Sequence, residues 1–175
     1  MKWPARISGG VERDFSHLDD SEIYVTPKNA GAPTYRVRVS YELHCFARTA
    51  NPDDPADHLF PEGQNMRCFC PDRYRCSLEL PRIIAAAPSS RVFFSQRRDM
   101  LVVEQLPGLV GPYAIFFNAE KFKRGGYDAA LFVVSAYEKP ELPTQLPAVS
   151  FATLISNLVN ARPLNIPRET RKAWG

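Results

Sequence analysis

The sequence has no apolar run close to the roughly 18 residues that a membrane-spanning helix needs. Its first residues, 1–6, lack the apolar segment of a secretory signal peptide. We therefore expect a cytoplasmic protein without a membrane partner. In that compartment the four cysteines are expected to be free thiols rather than disulfides.

Several familiar catalytic signatures are also missing. The glycines form neither a P-loop nor a G-x-G-x-x-G turn, and the sequence contains neither H-E-x-x-H nor G-x-S-x-G. Carboxylates do not cluster within the apolar segments, which disfavours a two-metal nuclease or a glycosidase pair. We expect no cofactor and no metal.

A zinc site is the alternative to that expectation. Cys68, Cys70 and Cys76, joined by Cys45 or His44, would supply enough ligands for tetrahedral zinc. However, the C-x-C-x5-C spacing matches no recognised finger, and no C-x2-C pair is present. Buried thiols that pack as small hydrophobic groups explain the same residues, and we assign Cys45 to the core.

Length and composition favour one globular domain. The chain has 175 residues, of which 45% are hydrophobic and 23% charged. Sixteen prolines indicate short elements joined by stiff loops. We expect a single domain over 1–175, with an irregular arm at 1–33 that holds a short strand near 22–26, and a basic tail at 162–175.

Alternating residues from 35 to 45 give the firmest structural prediction. One face of this segment is apolar and the other is polar, which is typical of a half-buried strand. The apolar face would carry Tyr35, Val37, Val39, Tyr41, Leu43 and Cys45, and the polar face Arg36, Arg38, Ser40, Glu42 and His44.

Four further strands are predicted, at 91–95, 100–104, 113–119 and 129–137, with links too short for helical crossovers. Helices are predicted at 77–87, with Ser77 as N-cap, and from the Ser150 cap through the apolar stripe that ends at Val159. The expected fold is α+β: an antiparallel meander sheet of four to six strands, with helices packed on one face.

Arginine outnumbers lysine sixteen to six, and the positive charge is clustered. Residues 67–98 hold seven arginines against Asp72 and Glu79, and the tail 162–175 carries the excess of three positive charges. Guanidinium groups favour phosphates and carboxylates, so we expect RNA or another polyanion as partner. A GC-rich genome explains the ratio, though not the clustering.

A metal-free set of side chains remains as the candidate site. His44 would act as general acid or base, while Ser135 and Tyr137, two apart on one strand face, would hold the substrate. Arginines would bind phosphate groups, and the candidates are Arg36, Arg38, Arg73, Arg75, Arg97 and Arg98. These groups suffice for RNA cleavage by its own 2′-hydroxyl. Each of these candidate residues is also explained as an ordinary solvated surface residue without a functional role.

The segments RVFFSQRRDMLVVE, PYAIFFNAE and DAALFVVSAYEK, within 91–138, resemble the catalytic half of barnase/EndoU/colicin/RelE-type ribonucleases, including phage- and toxin-associated members. The resemblance rests on a late apolar strand that ends in Ser135-Ala136-Tyr137. It implies a metal-independent endoribonuclease with Ser135 or Tyr137 in the active site. The basic and histidine residues of that group have no clear counterpart here, and neither does the proline-rich segment 49–71.

Two other functions fit the sequence. A non-enzymatic binding module would use the arginine-rich segment to contact nucleic acid or an acidic protein. An accessory protein of a mobile element or complex would dock a protein partner through its basic tail, 162–175. Turnover of RNA separates the first hypothesis from both.

Overall fold

The structure is a computed structural model that describes residues 3–95, 100–143 and 145–166 and the backbone of 171–172. The strands, in chain order, are β1 (Arg6–Ser8), β2 (Val11–Arg13), β3 (Ser21–Val25), β4 (Tyr35–Tyr41), β5 (Ala47–Thr49), β6 (Leu59–Glu62), β7 (Asn65–Phe69), β8 (Arg91–Phe94), β9 (Met100–Glu104), β10 (Tyr113–Lys121), β11 (Ala129–Glu138), β12 (Gln145–Leu146), β13 (Ala148–Ser150) and β14 (Arg171–Lys172). The helices are α1 (Pro71–Ser77), α2 (Leu80–Ala86) and α3 (Phe151–Val159).

Seven of the described strands form the central sheet, in the order β13-β8-β9-β10-β11-β4-β3. The meander from β8 to β11 is confirmed, as are the α+β class and the short strand β3. The sheet is larger than predicted, and it is mixed, because β4 pairs with β11 in parallel. The long connection between those two strands supplies the crossover that a parallel pair requires.

The alternation predicted for 35–45 holds only as far as Tyr41, which ends β4. Leu43–Cys45 then form a 3-10 turn, and the amide of Glu42 donates to the carbonyl of Val133, 2.9 Å away. Placing His44 on the polar face of the strand was therefore wrong. Cys45 is fully buried, as predicted, and its thiol contacts the same Val133 carbonyl at 3.7 Å.

The helix predicted over 77–87 corresponds to α2, and the preceding helix α1 was not predicted. α1 starts at Pro71 and α2 carries Pro81 in its first turn, where a missing amide is tolerated. Ser77 is not an N-cap but the last residue of α1, fully buried, with its hydroxyl donating to the carbonyl of Tyr74 at 2.7 Å.

The predicted α3 is confirmed together with its cap. The hydroxyl of Ser150 accepts a hydrogen bond from the amide of Thr153, at 3.0 Å. Phe151, Leu154 and Ile155 are buried on the face that contacts the sheet. A capped amphipathic segment of this kind is identified from sequence because both signals are local.

Both faces of the sheet carry buried side chains. The main core includes Val39, Ile115 and Leu131, and the helices pack on this helical face, as predicted. A smaller cluster on the opposite face contains Phe93, Leu101 and Ala114, covered by Leu142 and Leu146. Leu142 and Leu146 therefore shield part of the face opposite the described helices.

The arm 1–33 is less irregular than predicted, because β1 and β2 form an antiparallel hairpin within it. Strands β5, β7 and β6 form a separate three-stranded sheet, and the tail strand β14 pairs with β12. Within the described ranges, no helix is long and apolar enough to cross a membrane.

Candidate functional site

A β-bulge in β11 decides which side chains reach the face opposite the helices. Phe116 pairs with Ser135, whereas the next residue, Phe117, pairs with Val133, so Val134 is an extra residue in the strand. Leu131, Val133 and Ala136 are fully buried on the helical face. Since side chains alternate along a strand, only the extra residue lets Ser135 and Tyr137 point to the other face.

Ser135 and Tyr137 line a cleft of about 580 Å³ on that face, as their spacing predicted. We call it the Ser135 cleft. Residues 139–143 and 145–146 form one wall, and strands β10 and β11 form the floor. The described lining residues are Ser95, Phe116, Phe117, Asn118, Val134, Ser135, Tyr137, Lys139, Leu142, Pro143 and Leu146.

Tyr137 is also a wall of a second cleft, of about 300 Å³, which we call the Arg75 cleft. Its described lining residues are Asp72, Arg73, Arg75, Cys76, Gly108, Leu109, Tyr137 and Glu138. The Tyr137 ring stacks on Phe116, with centroids 5.5 Å apart and planes inclined by 25°. One half-buried tyrosine thus separates two adjoining clefts.

Arg73 packs against the Tyr137 ring and the neighbouring backbone. Its guanidinium lies 4.6 Å from the centre of the Tyr137 ring and donates to the carbonyls of His44 at 3.1 Å and Ala47 at 2.7 Å. Burial lowers the pKa of this guanidinium, while nearby Cys70 and Tyr137 oppose that effect. Arg73 therefore joins α1, the 3-10 turn and β11 at the site.

Arg75 is the more accessible of the two arginines. Its side chain is 61% exposed and lies 3.6 Å from Asp72, a distance typical of a weak ion pair. The loop opposite it is held by Glu138, whose carboxylate accepts from the amides of Val110 and Gly111. The cleft thus presents an exposed and weakly paired cation opposite a loop that Glu138 holds in place.

Gly111 needs to be glycine because a side chain there has no room. A Cβ at this position would lie 2.7 Å from Cα of Pro140. The amide of Lys139 donates to the carbonyl of Pro112 next to this contact, at 2.9 Å. The close approach fixes the loop against the end of β11.

Asn118 and Lys139 are cleft residues that the sequence analysis missed. The ammonium of Lys139 lies 5.9 Å from the centre of the Tyr137 ring. Asn118 follows Phe116 by two positions in β10, so the same alternation that selected Ser135 and Tyr137 also indicates Asn118.

His44 contributes its backbone, rather than its imidazole, to this region. Its Nε2 lies 3.7 Å from the Glu62 carboxylate, in the direction of the three-stranded sheet. Glu62 also accepts a 2.6 Å hydrogen bond from Arg67. Among described residues, His44 lines neither the Ser135 cleft nor the Arg75 cleft.

Arg36 and Arg38 hold the edge strand β3 against β4. Arg36 donates two hydrogen bonds to Glu22, and Arg38 one to Asp20, at 2.6 Å. Arg38 pairs in register with Ala130, which is five residues before Ser135, or about 16 Å along the strand. The two arginines are therefore remote from the Ser135 cleft. Arg97 and Arg98 lie outside the described residues.

The four cysteines are free thiols. Burial raises the pKa of Cys45 to about 12, and it also raises the pKa values of Cys68 and Cys76. Zinc binds thiolates, which these surroundings disfavour. Within the described chain, no group of three or more histidine, cysteine or acidic side chains is arranged to hold a metal.

A histidine–serine pair in the core was also missed by the sequence analysis. Nε2 of His17 lies 2.8 Å from the hydroxyl of Ser77. Because that hydroxyl gives its single proton to Tyr74, it accepts from the imidazole rather than being activated by it. With Ser77 fully buried, the pair is a structural contact between the arm and α1.

The comparisons with known proteins give one result. No curated protein and no solved structure matches the chain. The family model for the YjaZ family matches residues 5–159, a range that contains all the described lining residues of both clefts. Because this match covers most of the sequence, the chain belongs to the YjaZ family.

Proposed function

We propose that the protein binds single-stranded RNA, with Tyr137 as the stacking platform. The observation that carries this proposal is the position of Tyr137 between two clefts, stacked on Phe116 and flanked by the cations Arg73 and Lys139. Proteins that bind single strands combine aromatic platforms for bases with cationic groups for phosphates. The two clefts would accept consecutive nucleotides on either side of the ring.

Charge supports the same proposal. Arg75 and Lys139 lie on opposite sides of Tyr137, one in each cleft, where they would contact the backbone of a strand that crosses the ring. Ser135 and Asn118 supply hydrogen-bonding groups for base edges in the Ser135 cleft. RNA rather than DNA as the ligand, and a cytoplasmic location, are parts of the proposal.

The test is fluorescence anisotropy with a labelled 12-nucleotide RNA in EDTA, at several salt concentrations. We expect saturable binding that weakens steeply with salt, and stronger binding of the single strand than of a duplex. A duplex bound as tightly as the single strand, or binding that is unchanged in Tyr137→Leu, would refute the proposal.

Cleavage of the bound RNA is the second candidate function, and the pairing of Ser135 with Tyr137 in one cleft favours it. The histidine of this hypothesis, His44, points toward Glu62. Incubating labelled RNA with the protein in EDTA tests cleavage. Cleavage that is lost in both His44→Ala and Tyr137→Phe supports catalysis by these residues. If the RNA stays intact at saturating protein, the protein binds RNA without cleaving it.

A further inference from the structure

A third cavity, of about 240 Å³, shares no lining residue with the Ser135 and Arg75 clefts. It lies between the β1–β2 hairpin, the 3-10 turn Ala56–His58 and the start of β6. We call it the Phe60 pocket. Its described lining residues are Arg6, Ile7, Ser8, Phe15, Phe46, Asp57, His58, Leu59, Phe60 and Phe69.

The walls of the Phe60 pocket are mainly aromatic. Phe15 and Phe46 are fully buried, with ring centroids 4.3 Å apart, and Phe69 is nearly so. Phe60 stacks on Phe46 with centroids 6.5 Å apart. A cavity of about 150 Å³ with apolar walls is enough for benzene, so this one has room for a single ring and a short substituent.

Two polar side chains at the pocket, Ser8 and Arg6, have few partners. Ser8 is 4% exposed, and its hydroxyl has no hydrogen-bond partner. The guanidinium of Arg6 lies 4.7 Å from the centre of the Phe60 ring, and it forms no ion pair within the described part of the chain. A buried hydroxyl without a partner is costly, and a guanidinium without an ion pair is available to an anion, so both favour a ligand that satisfies them.

The turn of the β1–β2 hairpin is fitted closely to the mouth of the pocket. Gly9 has a φ of +60°, and a Cβ there would lie 2.9 Å from Nε2 of His58. The His58 ring packs edge-on against Phe69, with centroids 5.7 Å apart. In addition to the Arg6 guanidinium, the His58 imidazole thus offers a nitrogen donor or acceptor at the rim of the Phe60 pocket, beside the hairpin.

We propose that the Phe60 pocket binds a small aromatic carboxylate, with its ring among the four phenylalanines and its carboxylate at Arg6. Edge-to-face and offset contacts favour an aromatic ring over a saturated one. An unpaired guanidinium selects a carboxylate over an amine. Asp57, the acidic residue of the lining, is exposed, so water screens its repulsion.

Calorimetry on the full chain tests this with phenylacetate as the probe. Benzyl alcohol, phenethylamine and cyclohexylacetate are the matched neutral, cationic and saturated compounds. We expect a phenylacetate Kd of about 1 mM or lower, consistent with a ligand of ten heavy atoms, and weaker binding of the other three. Phenylacetate should also raise the melting temperature in proportion to saturation.

Two variants locate the site. Arg6→Gln should weaken phenylacetate binding at least about fivefold and leave benzyl alcohol binding unchanged. Arg124→Gln removes an equal charge from the separate cleft that Arg38 lines, and it should change neither. Phe60→Leu should remove the preference for phenylacetate over cyclohexylacetate.

The proposal is overturned if phenylacetate shows no saturable binding at about 10 mM, well above the expected Kd. It is also overturned if phenethylamine binds at least as tightly, or if Arg6→Gln and Arg124→Gln have equal effects. None of these readouts involves RNA, so the outcome is independent of the function proposed for the Ser135 and Arg75 clefts.

Discussion

The guanidinium of Arg73 lies 4.6 Å from the centre of the Tyr137 ring, and the same guanidinium holds the carbonyls of His44 and Ala47. Tyr137 is therefore supported on one side by Phe116 and fixed by a cation anchored to the backbone. A ring held in this way is pre-organised for stacking, because little side-chain freedom is left to lose on binding.

The first prediction concerns the Tyr137 ring itself. Tyr137→Leu removes the stacking surface and should weaken RNA binding about tenfold, whereas Tyr137→Phe keeps the ring and should stay within about twofold. Tyr24→Leu is the control, since Tyr24 is an exposed tyrosine on β3. Anisotropy titrations measure all three. Equal losses in the Leu and Phe variants would show that the hydroxyl, rather than stacking, is what matters.

Arg75 provides a prediction about salt. Arg75→Gln should weaken RNA binding and reduce the slope of log K against log salt by about 0.7, the value for one phosphate contact on a single strand. Arg82→Gln is the matched control, because Arg82 is an exposed helical arginine that pairs with Glu79 three residues earlier. A slope that falls equally in both variants would indicate general charge attraction instead of contact in the Arg75 cleft.

For Arg73 we predict a loss of stability as well as of binding. Arg73→Met leaves two backbone carbonyls without their donor and should cost about 2 kcal/mol of unfolding free energy. Arg82→Met, on the exposed surface of α2, should cost less than about 0.5 kcal/mol. Urea denaturation measures both. If Arg73→Met leaves the free energy of unfolding unchanged, water has replaced the guanidinium at the two carbonyls.

His17 makes stability depend on pH. Burial lowers the pKa of His17, partly offset by the charge of Asp14. The unfolded chain, with a histidine pKa of about 6.5, therefore binds more protons than the folded one as pH falls. The stability contributed by the neutral imidazole is complete above about pH 7.5 and is lost as pH falls through 6.5 toward the folded value.

The melting temperature should accordingly fall between about pH 7.5 and 5.5, and fall less in His17→Gln, which keeps a donor for Ser77. His58→Gln, at the rim of the Phe60 pocket, is the control and should keep the full dependence. If the His58 variant flattens the profile and the His17 variant does not, the assignment to His17 is incorrect.

The meander, β3 and α3 could be predicted from the sequence because their signals are local. Short links between β8 and β11 force neighbouring strands to pair, and the Ser150 cap marks a helix start without reference to the rest of the chain. The parallel pairing of β4 with β11 could not be predicted, because it depends on how a connection of many residues packs.

The candidate site was predicted in part. Ser135 and Tyr137 line the same cleft. Side chains two positions apart in a strand point to the same face, whatever register the strand adopts. His44 was misplaced because a 3-10 turn continued, by coincidence, the alternation of β4. The ion pairs of Arg36 and Arg38 could not be predicted because their acidic partners, Glu22 on β3 and Asp20 just before it, are brought near only by strand pairing.

The bulge at Val134 gives β11 one residue more than its pairing with β10 uses, so the residue count of the strand differs there from that of its partner. Replacing Val134 leaves that count intact. Deleting it would remove the bulge and place Ser135 directly after Val133 with the same partner, Phe116, so Ser135 and Tyr137 would keep their face and Ala136 would stay in the core. Both faces of β11 should therefore stay as they are whether Val134 is replaced or deleted.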